Sequence, residues 1–248
     1  MQNRLFEIVT DSACDMPKAY YAEHGVELVN LGFTMNNVNY EGESGEKITE
    51  AEFYAKLREG SMPTTYQVTA EQAKEHIEPL LQKGKDVLVL AFSSGLSGTA
   101  GSFMVAAREL SACYPDRKIL VVDSLCASMG QGLLLDYVIK YADTGATIED
   151  TAVYAEETKD YIGHHFTVDN LFHLRRGGRV SGATALIGSI LKIKPVWTVD
   201  GFGKLQTVGK AMGRKKALSK LLEMMIEYLP NPADLKPMVG VSPEGKEV

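Results

Sequence analysis

The stretch Asp86–Ala107, DVLVLAFSSGLSGTAGSFMVAA, constrains the fold of this chain more than any other. Its Val87–Ala91 run is short, unbroken and rich in β-branched residues. That is the pattern of a strand buried on both faces, as in a parallel sheet. Apolar residues then recur at helical spacing, with Ala100, Phe103, Met104, Ala107 and Leu110 on one face. Between the two lies Ser93-Ser94-Gly95-Leu96-Ser97-Gly98-Thr99, a hydroxyl- and Gly-rich turn. Open α/β folds bind ligands at such strand-to-helix turns, where the free N–H groups of the helix start attract an anion. The same string also describes an ordinary βα turn with a Ser cap.

Strands and helices alternate through the first 160 or so residues, which predicts a mostly parallel sheet with flanking helices. Leu5–Thr10 reads as the first strand, and a helix begins near Pro17. Val26–Phe33 reads as one strand, 36–45 as a loop with a short edge hairpin around Val38–Tyr40, and Gly60–Val68 as a turn segment. Thr49 with Glu52, and Thr69 with Gln72, form capping-box patterns that start two helices. Lys118–Val122 is a further buried strand, followed by helices over Ala127–Tyr141 and from Thr147 to Asp160. Two strands end in Asp-Ser, at Asp11-Ser12 and Asp123-Ser124, so both carboxylates belong at the carboxyl edge of one sheet. There they could cap helices, bind metal or act as bases, and capping is the commoner role.

A second region begins near Gly163, so the expected domains are 1–162 and 163–248. His165–Val168 reads as a strand, Asp169-Asn170 as the start of a short helix, and Ser181–Leu191 as an apolar helix. Ile193–Val199 and Lys204–Val208 flank Asp200-Gly201-Phe202-Gly203, a hairpin signal that permits a two-residue loop or a bulge at Gly203. Leu218, Leu221, Leu222, Met225 and Leu229 mark an amphipathic helix ended by Pro230, and Met238–Val241 begins one more strand. The expected architecture is two α/β domains, the first a mostly parallel sheet, the second a mixed sheet with helices.

Acidic residues outnumber basic ones, 32 to 26, which argues against non-specific nucleic-acid binding. Cys14, Cys113 and Cys126 are isolated and fit no zinc or disulfide spacing, the pattern of reduced thiols. The sequence starts without a signal-peptide pattern and holds no membrane-length apolar run, so a cytoplasmic protein is expected.

The Ser-rich turn does not fit the nucleophile elbow G-x-S-x-G, the Walker A loop or the G-x-G-x-x-G dinucleotide fingerprint. His24, His76, His164, His165 and His173 sit in no context that marks a general base, and adjacent His164-His165 would point to opposite faces of a strand. What remains is a donor-rich turn. Thr64-Thr65-Tyr66-Gln67 adds hydroxyls just before the Thr69 helix. With the two turns side by side, Thr65 and Ser94 could grip one carboxylate through neutral donors. Arg175, Arg176 and Arg179 could attract a phosphate or an acidic partner, or form a solvated turn.

The strings IVTDSACDMP at 8–17, PTTYQ at 63–67, FSSGLSGT at 92–99, VVDSLCASMG at 121–130 and LRRGGRVS at 174–181 resemble the DegV family, in order and over essentially the whole chain. The resemblance implies two α/β domains and a buried long-chain fatty acid, with head-group contacts at Thr65 and Ser94 and a neighbouring Ser93. It implies no cofactor and no metal. In bacterial fatty acid kinase, the binding subunit of this family presents the acyl carboxylate to a separate ATP-using kinase subunit, which forms an acyl-phosphate. Arg175 and Arg179 become phosphate or partner contacts on that reading. The chain departs from the family pattern at Thr65-Tyr66-Gln67-Val68, where T-S-Q-P is usual, and at Met212, where many members carry Arg. A His-Thr-Gly-Pro-Gly-like segment expected beyond the last residue is absent from the sequence, so the second domain is expected to be incomplete. The expected function is therefore lipid binding without catalytic machinery of its own. The alternatives are a stand-alone serine or phosphate-ester hydrolase and a lipid-sensing regulator.

Overall fold

A computed structural model describes residues 4–40, 45–168, 177–179 and 193–227. The chain begins with β1 (Glu7–Asp11), a 3-10 turn over Ser12–Cys14, α1 (Lys18–Glu23) and β2 (Val26–Val29). Then come β3 (Gly32–Met35), β4 (Val38–Tyr40), α2 (Glu50–Arg58), β5 (Thr64–Tyr66) and α3 (Ala70–Gln82). Next are β6 (Val87–Ala91), α4 (Thr99–Cys113), β7 (Ile119–Asp123), α5 (Met129–Ala142) and α6 (Ile148–Thr158). The chain separates into two units, Met1–Ile162 and Gly163–Val248.

The first unit is built on a four-stranded sheet in the order β2-β1-β6-β7, with every pairing parallel. All five residues of β6 are buried, as its apolar run requires. Strand alternation sorts the core into two layers. Ile8, Leu88, Leu90 and Val122 pack with Tyr21 of α1, with Leu134, Leu135 and Val138 of α5, and with Ala155 of α6. Val9, Val87, Val89 and Ala91 pack with Ile77 of α3 and Phe103 of α4. Helices thus cover both faces, the arrangement parallel sheets need. Both capping boxes form: Thr49 Oγ1 accepts from Glu52 N at 3.3 Å, and Thr69 Oγ1 accepts from Gln72 N at 3.2 Å.

The segment expected as one strand, Val26–Phe33, is two. β2 pairs in the parallel sheet, and β3 pairs antiparallel with β4 and β5 in a second sheet. At the break, Leu31 N donates to Ser12 Oγ at 2.9 Å instead of to a strand. The turn between β3 and β4 has Asn36 and Asn37 at φ 54 and 62, the two left-handed residues of a tight hairpin. The segment expected as a turn, Gly60–Val68, contains β5, a short exposed strand whose pairing comes from its neighbour and not from an apolar pattern. Met104, placed by spacing on the buried face of α4, is 47% exposed, and the stripe is completed by Ala106.

The second unit holds a three-stranded sheet, β8 (Phe166–Thr167), β9 (Ile193–Val199) and β10 (Leu205–Met212), followed by α7 (Arg214–Glu227). Its described strands pair antiparallel, with a bulge between Thr207 and Gly209. Asp200 Oδ1 accepts from Phe202 N and Lys204 N, both at 2.9 Å, and Gly203 takes φ 70, so the hairpin closes through the bulge option. Trp197 is fully buried and stacks on Phe166. The helices expected after Asp169-Asn170 and over Ser181–Leu191, the basic residues Arg175 and Arg176, and the strand at Met238–Val241 lie outside the described residues. No described helix is long and apolar enough to cross a membrane.

Truncating Phe103 to Ala removes the largest side chain that α4 buries. It is expected to cost about 3–5 kcal/mol in urea unfolding, whereas Met104→Ala should stay within about 0.5 kcal/mol.

Candidate functional site at the sheet reversal

In the order β2-β1-β6-β7, the chain leaves β1 toward β2 through α1 on one face and leaves β6 toward β7 through α4 on the other. The carboxyl ends of β1 and β6 therefore flank the point where strand order reverses, the place where open parallel sheets form a crevice. Asp11 and Ser12 lie on one side of it and the Phe92–Thr99 turn on the other.

The N–H groups of the turn are satisfied partly within it and partly by its neighbours. Phe92 N donates to Asp11 Oδ2 at 2.7 Å, Ser93 N to Cys126 O at 3.1 Å, and Ser94 N to Asp123 Oδ1 at 3.1 Å. Gly95 N donates to Ser93 Oγ, and Leu96 N and Ser97 N both donate to Ser93 O, each at 3.1 Å. Every N–H from Phe92 to Ser97 thus ends on the protein, and two of the acceptors are carboxylates. The expected cradle of free N–H groups is not formed by this run. Gly98 holds the cap position of α4 without a side-chain bond, and the expected Ser cap comes from one residue earlier, where Ser97 Oγ accepts from Thr99 N at 3.3 Å. Ser93 is fully buried and shapes the turn, while Ser94 is exposed.

The Thr64–Gln67 segment lies alongside. Gln67 Nε2 donates to Ser102 Oγ at 3.0 Å, and a Cβ built on Gly98 would meet Gln67 Oε1 at 2.1 Å, so the amide sits directly on that glycine. Val68 N donates to Thr99 Oγ1 at 3.4 Å, and Thr99 Oγ1 meets Ser97 Oγ at 2.9 Å. These contacts tie the strand carrying Thr65 to the turn carrying Ser94. Tyr66, where the family pattern has a small Ser, fits because its cross-strand partner is Gly32. A Cβ there would meet the Tyr66 ring at 2.1 Å, so the ring covers the bare glycine backbone.

The two Asp-Ser carboxylates act as caps and braces. Asp11 Oδ1 accepts from Ala13 N at 3.1 Å while Oδ2 reaches Phe92 across the reversal. Burial pushes the Asp11 carboxyl up to about 6, against the opposing pull of the Phe92 and Ala13 N–H groups and of Gln131. Asp123 Oδ1 accepts from Leu125 N at 3.2 Å as well as from Ser94 N. Sequence reading allowed for capping but not for the cross-strand partners Phe92 and Ser94. The Gly32–Tyr66 and Gly98–Gln67 contacts carried no signal beyond the glycines themselves. Among the described residues no cluster of His, Cys, Asp and Glu could hold a metal ion.

The histidines do not converge on the serines. His76 Nδ1 lies 2.6 Å from Glu27 Oε1, and His24 Nδ1 lies 2.9 Å from Tyr20 O. His164 and His165 belong to the second unit, and burial lowers the His165 pKa. His173 is outside the described residues. Arg179 is exposed and its Nη1 donates to Gly177 O. Met212 ends β10 and is 52% exposed.

The sequence profile of a family described as "Uncharacterised protein, DegV family" matches residues 5–247. A DegV domain-containing protein of Clostridium perfringens is 41% identical over 227 residues, covering 92% of this chain and 78% of that protein. Another, from Lactococcus lactis, is 34% identical over 90% of this chain and 78% of its own length. Among solved structures, a DegV family protein from Thermus thermophilus, described by its fatty acid binding, superposes with a TM-score of 0.77 at 32% identity. It covers 90% of this chain and 77% of that one. DegV of Bacillus subtilis, described as a fatty acid binding protein, superposes with a TM-score of 0.76 at 30% identity, over 90% and 78% of the two chains.

The buried Asp11 carboxyl makes stability depend on pH. In the unfolded chain it returns to the ordinary range near 4. As pH rises from about 4 to 6, the unfolded chain gives up this proton while the folded protein still holds it. Stability from this group is therefore complete below about 4, is lost through 6, and is flat above, a total of at most about 3 kcal/mol. Urea unfolding at pH 4.5 and 7.5 should show this loss in the wild-type chain and lack it in Asp11→Asn.

Proposed function

This chain belongs to the DegV family, and we propose that it binds a long-chain fatty acid, its head group held by Ser94 and Thr65 and its tail in an apolar cavity. The observation that carries this reading is the pairing of an exposed Ser94 with a Thr65 strand clipped to the same turn through Gln67 and Val68. On this reading both hydroxyls serve the crevice at the sheet reversal, where a donor without charge suits an acid whose remaining body is apolar. Ser93 serves the site from inside by fixing the turn. The fatty-acid-binding proteins of Thermus thermophilus and Bacillus subtilis share the fold and support the same ligand class. Burying an acyl chain at about 0.8 kcal/mol per CH₂ supplies most of the affinity, and the head-group bonds supply orientation.

The protein acts as a carrier and not as a stand-alone enzyme. His24 and His76 are engaged away from the serines, which leaves a Ser–His hydrolase without a base from the first unit. We propose that the carrier presents the head group to a separate ATP-dependent kinase subunit, with Arg175 and Arg179 as contacts for the phosphate or for that partner. The thiols Cys14, Cys113 and Cys126 suit a reducing, cytoplasmic setting.

Native mass spectrometry followed by solvent extraction should find about one fatty acid per chain. A protein that is empty and takes up no added fatty acid overturns the proposal. Ser94→Ala should weaken palmitic acid by about 1–2 kcal/mol and leave the alkane of equal length unchanged. Equal weakening of both would remove Ser94 from the head-group site.

A further inference from the structure

We infer that Asp123 is a selectivity-determining residue, which fixes Ser94 by accepting its N–H and, by its negative charge, makes the turn favour a head group that keeps its proton over a free carboxylate. The inference rests on the reading that Ser94 holds the head group, and adds to it the charge state that is held.

The geometry is short-range. Asp123 Oδ1 lies 3.1 Å from Ser94 N, so the carboxylate is bonded to the very residue whose hydroxyl the acid takes. The turn carries no charged side chain to offset that carboxylate: its N–H groups from Phe92 to Ser97 are spent on protein acceptors, Thr99 N at the start of α4 donates to Ser97 Oγ, and only the α4 dipole opposes the charge. On the β1 side stands a second carboxylate, Asp11, at Phe92 N, with Asp15 nearby. From α4 the first charged side chain is Arg108, nine positions after Thr99 and more than two helical turns away. The Thr64–Gln67 segment brings no charge. Beyond α6, Lys159 Nζ donates to the main-chain oxygen of Asp123 at 3.0 Å and forms an ion pair with Glu156, and Asp160 adds a further negative charge. The Cys126 thiol is held neutral by burial. Within the first unit the head-group surroundings are therefore rich in hydroxyl donors and net acidic. A neutral acid can donate as well as accept there, whereas a carboxylate meets like charge at low separation.

Carbon-13 NMR of [1-¹³C]palmitic acid bound to the full chain tests this, with the carboxyl resonance titrated from pH 5 to 9. The bound acid should have a proton affinity at least about tenfold above that of an ordinary carboxyl. Asp123→Asn keeps an oxygen for the Ser94 N–H and removes the charge, and should lower that affinity about fivefold. Because Asp11 is intact in both proteins, the difference between them belongs to Asp123. A bound acid that ionises at or below the ordinary range overturns the inference, and so does an unchanged titration in Asp123→Asn. On the unmodified chain, hexadecanamide should compete at least threefold better against palmitic acid at pH 8.5 than at pH 5, and equal competition also overturns it. The site reading fails separately: no bound resonance, or a carboxyl resonance that Ser94→Ala does not move, removes the head-group assignment itself.

Discussion

Burial of Val87–Ala91 on both faces is the constraint from which the rest of the first unit follows. A strand without a polar side must be covered twice, and between β-strands joined in parallel the crossover connections, usually helices, supply that cover. One helix layer takes Leu88 and Leu90, the other takes Val87, Val89 and Ala91. The chain reaches both layers by reversing strand order between β1 and β6. The reversal leaves the carboxyl ends of those two strands facing a crevice. The position of the site is thus a consequence of how the core is covered.

The chemistry of the crevice is set by where the backbone donors go. Three neighbouring N–H groups, those of Phe92, Ser93 and Ser94, are accepted by groups from β1 and from the segment at and after β7. This braces the β6 turn between its two flanking strands. It also withdraws those three donors of the turn from any ligand. On the proposed reading, recognition passes to the hydroxyls of Ser94 and Thr65, which are weaker donors but can also accept. Placing Asp11 in a fully buried position has a cost, seen in its raised pKa, and the N–H bonds from Ala13 and Phe92 offset part of it.

The two sheets of the first unit meet this site in different ways. The parallel sheet supplies rigid strand ends. The small antiparallel sheet supplies β5, whose residues are all exposed and whose place depends on pairing with β3 and on the Gln67 and Val68 contacts to α4. Glycine makes both contacts close: Gly32 admits the Tyr66 ring and Gly98 admits the Gln67 amide. The Tyr at 66 is therefore accommodated by its partner strand without displacing Thr65 from the ladder.

Local sequence determined the parts governed by short-range physics. These are the doubly buried strand, the capping boxes at Thr49 and Thr69, the Asp200 hairpin, and the adjacency of a hydroxyl-rich turn to a strand's carboxyl end. The motif strings also determined the family. Tertiary structure decided what depends on partners distant in sequence. It broke Val26–Phe33 into two strands, because Leu31 N–H turns to Ser12 and the chain changes sheets. It made a strand of the polar Thr64–Tyr66, because an edge strand is held by its neighbour's backbone and needs no apolar pattern. And it turned Asp11 and Asp123 from plain caps into braces for Phe92 and Ser94, since a carboxylate's acceptor capacity is written in the sequence but the N–H groups that reach it are chosen by strand order.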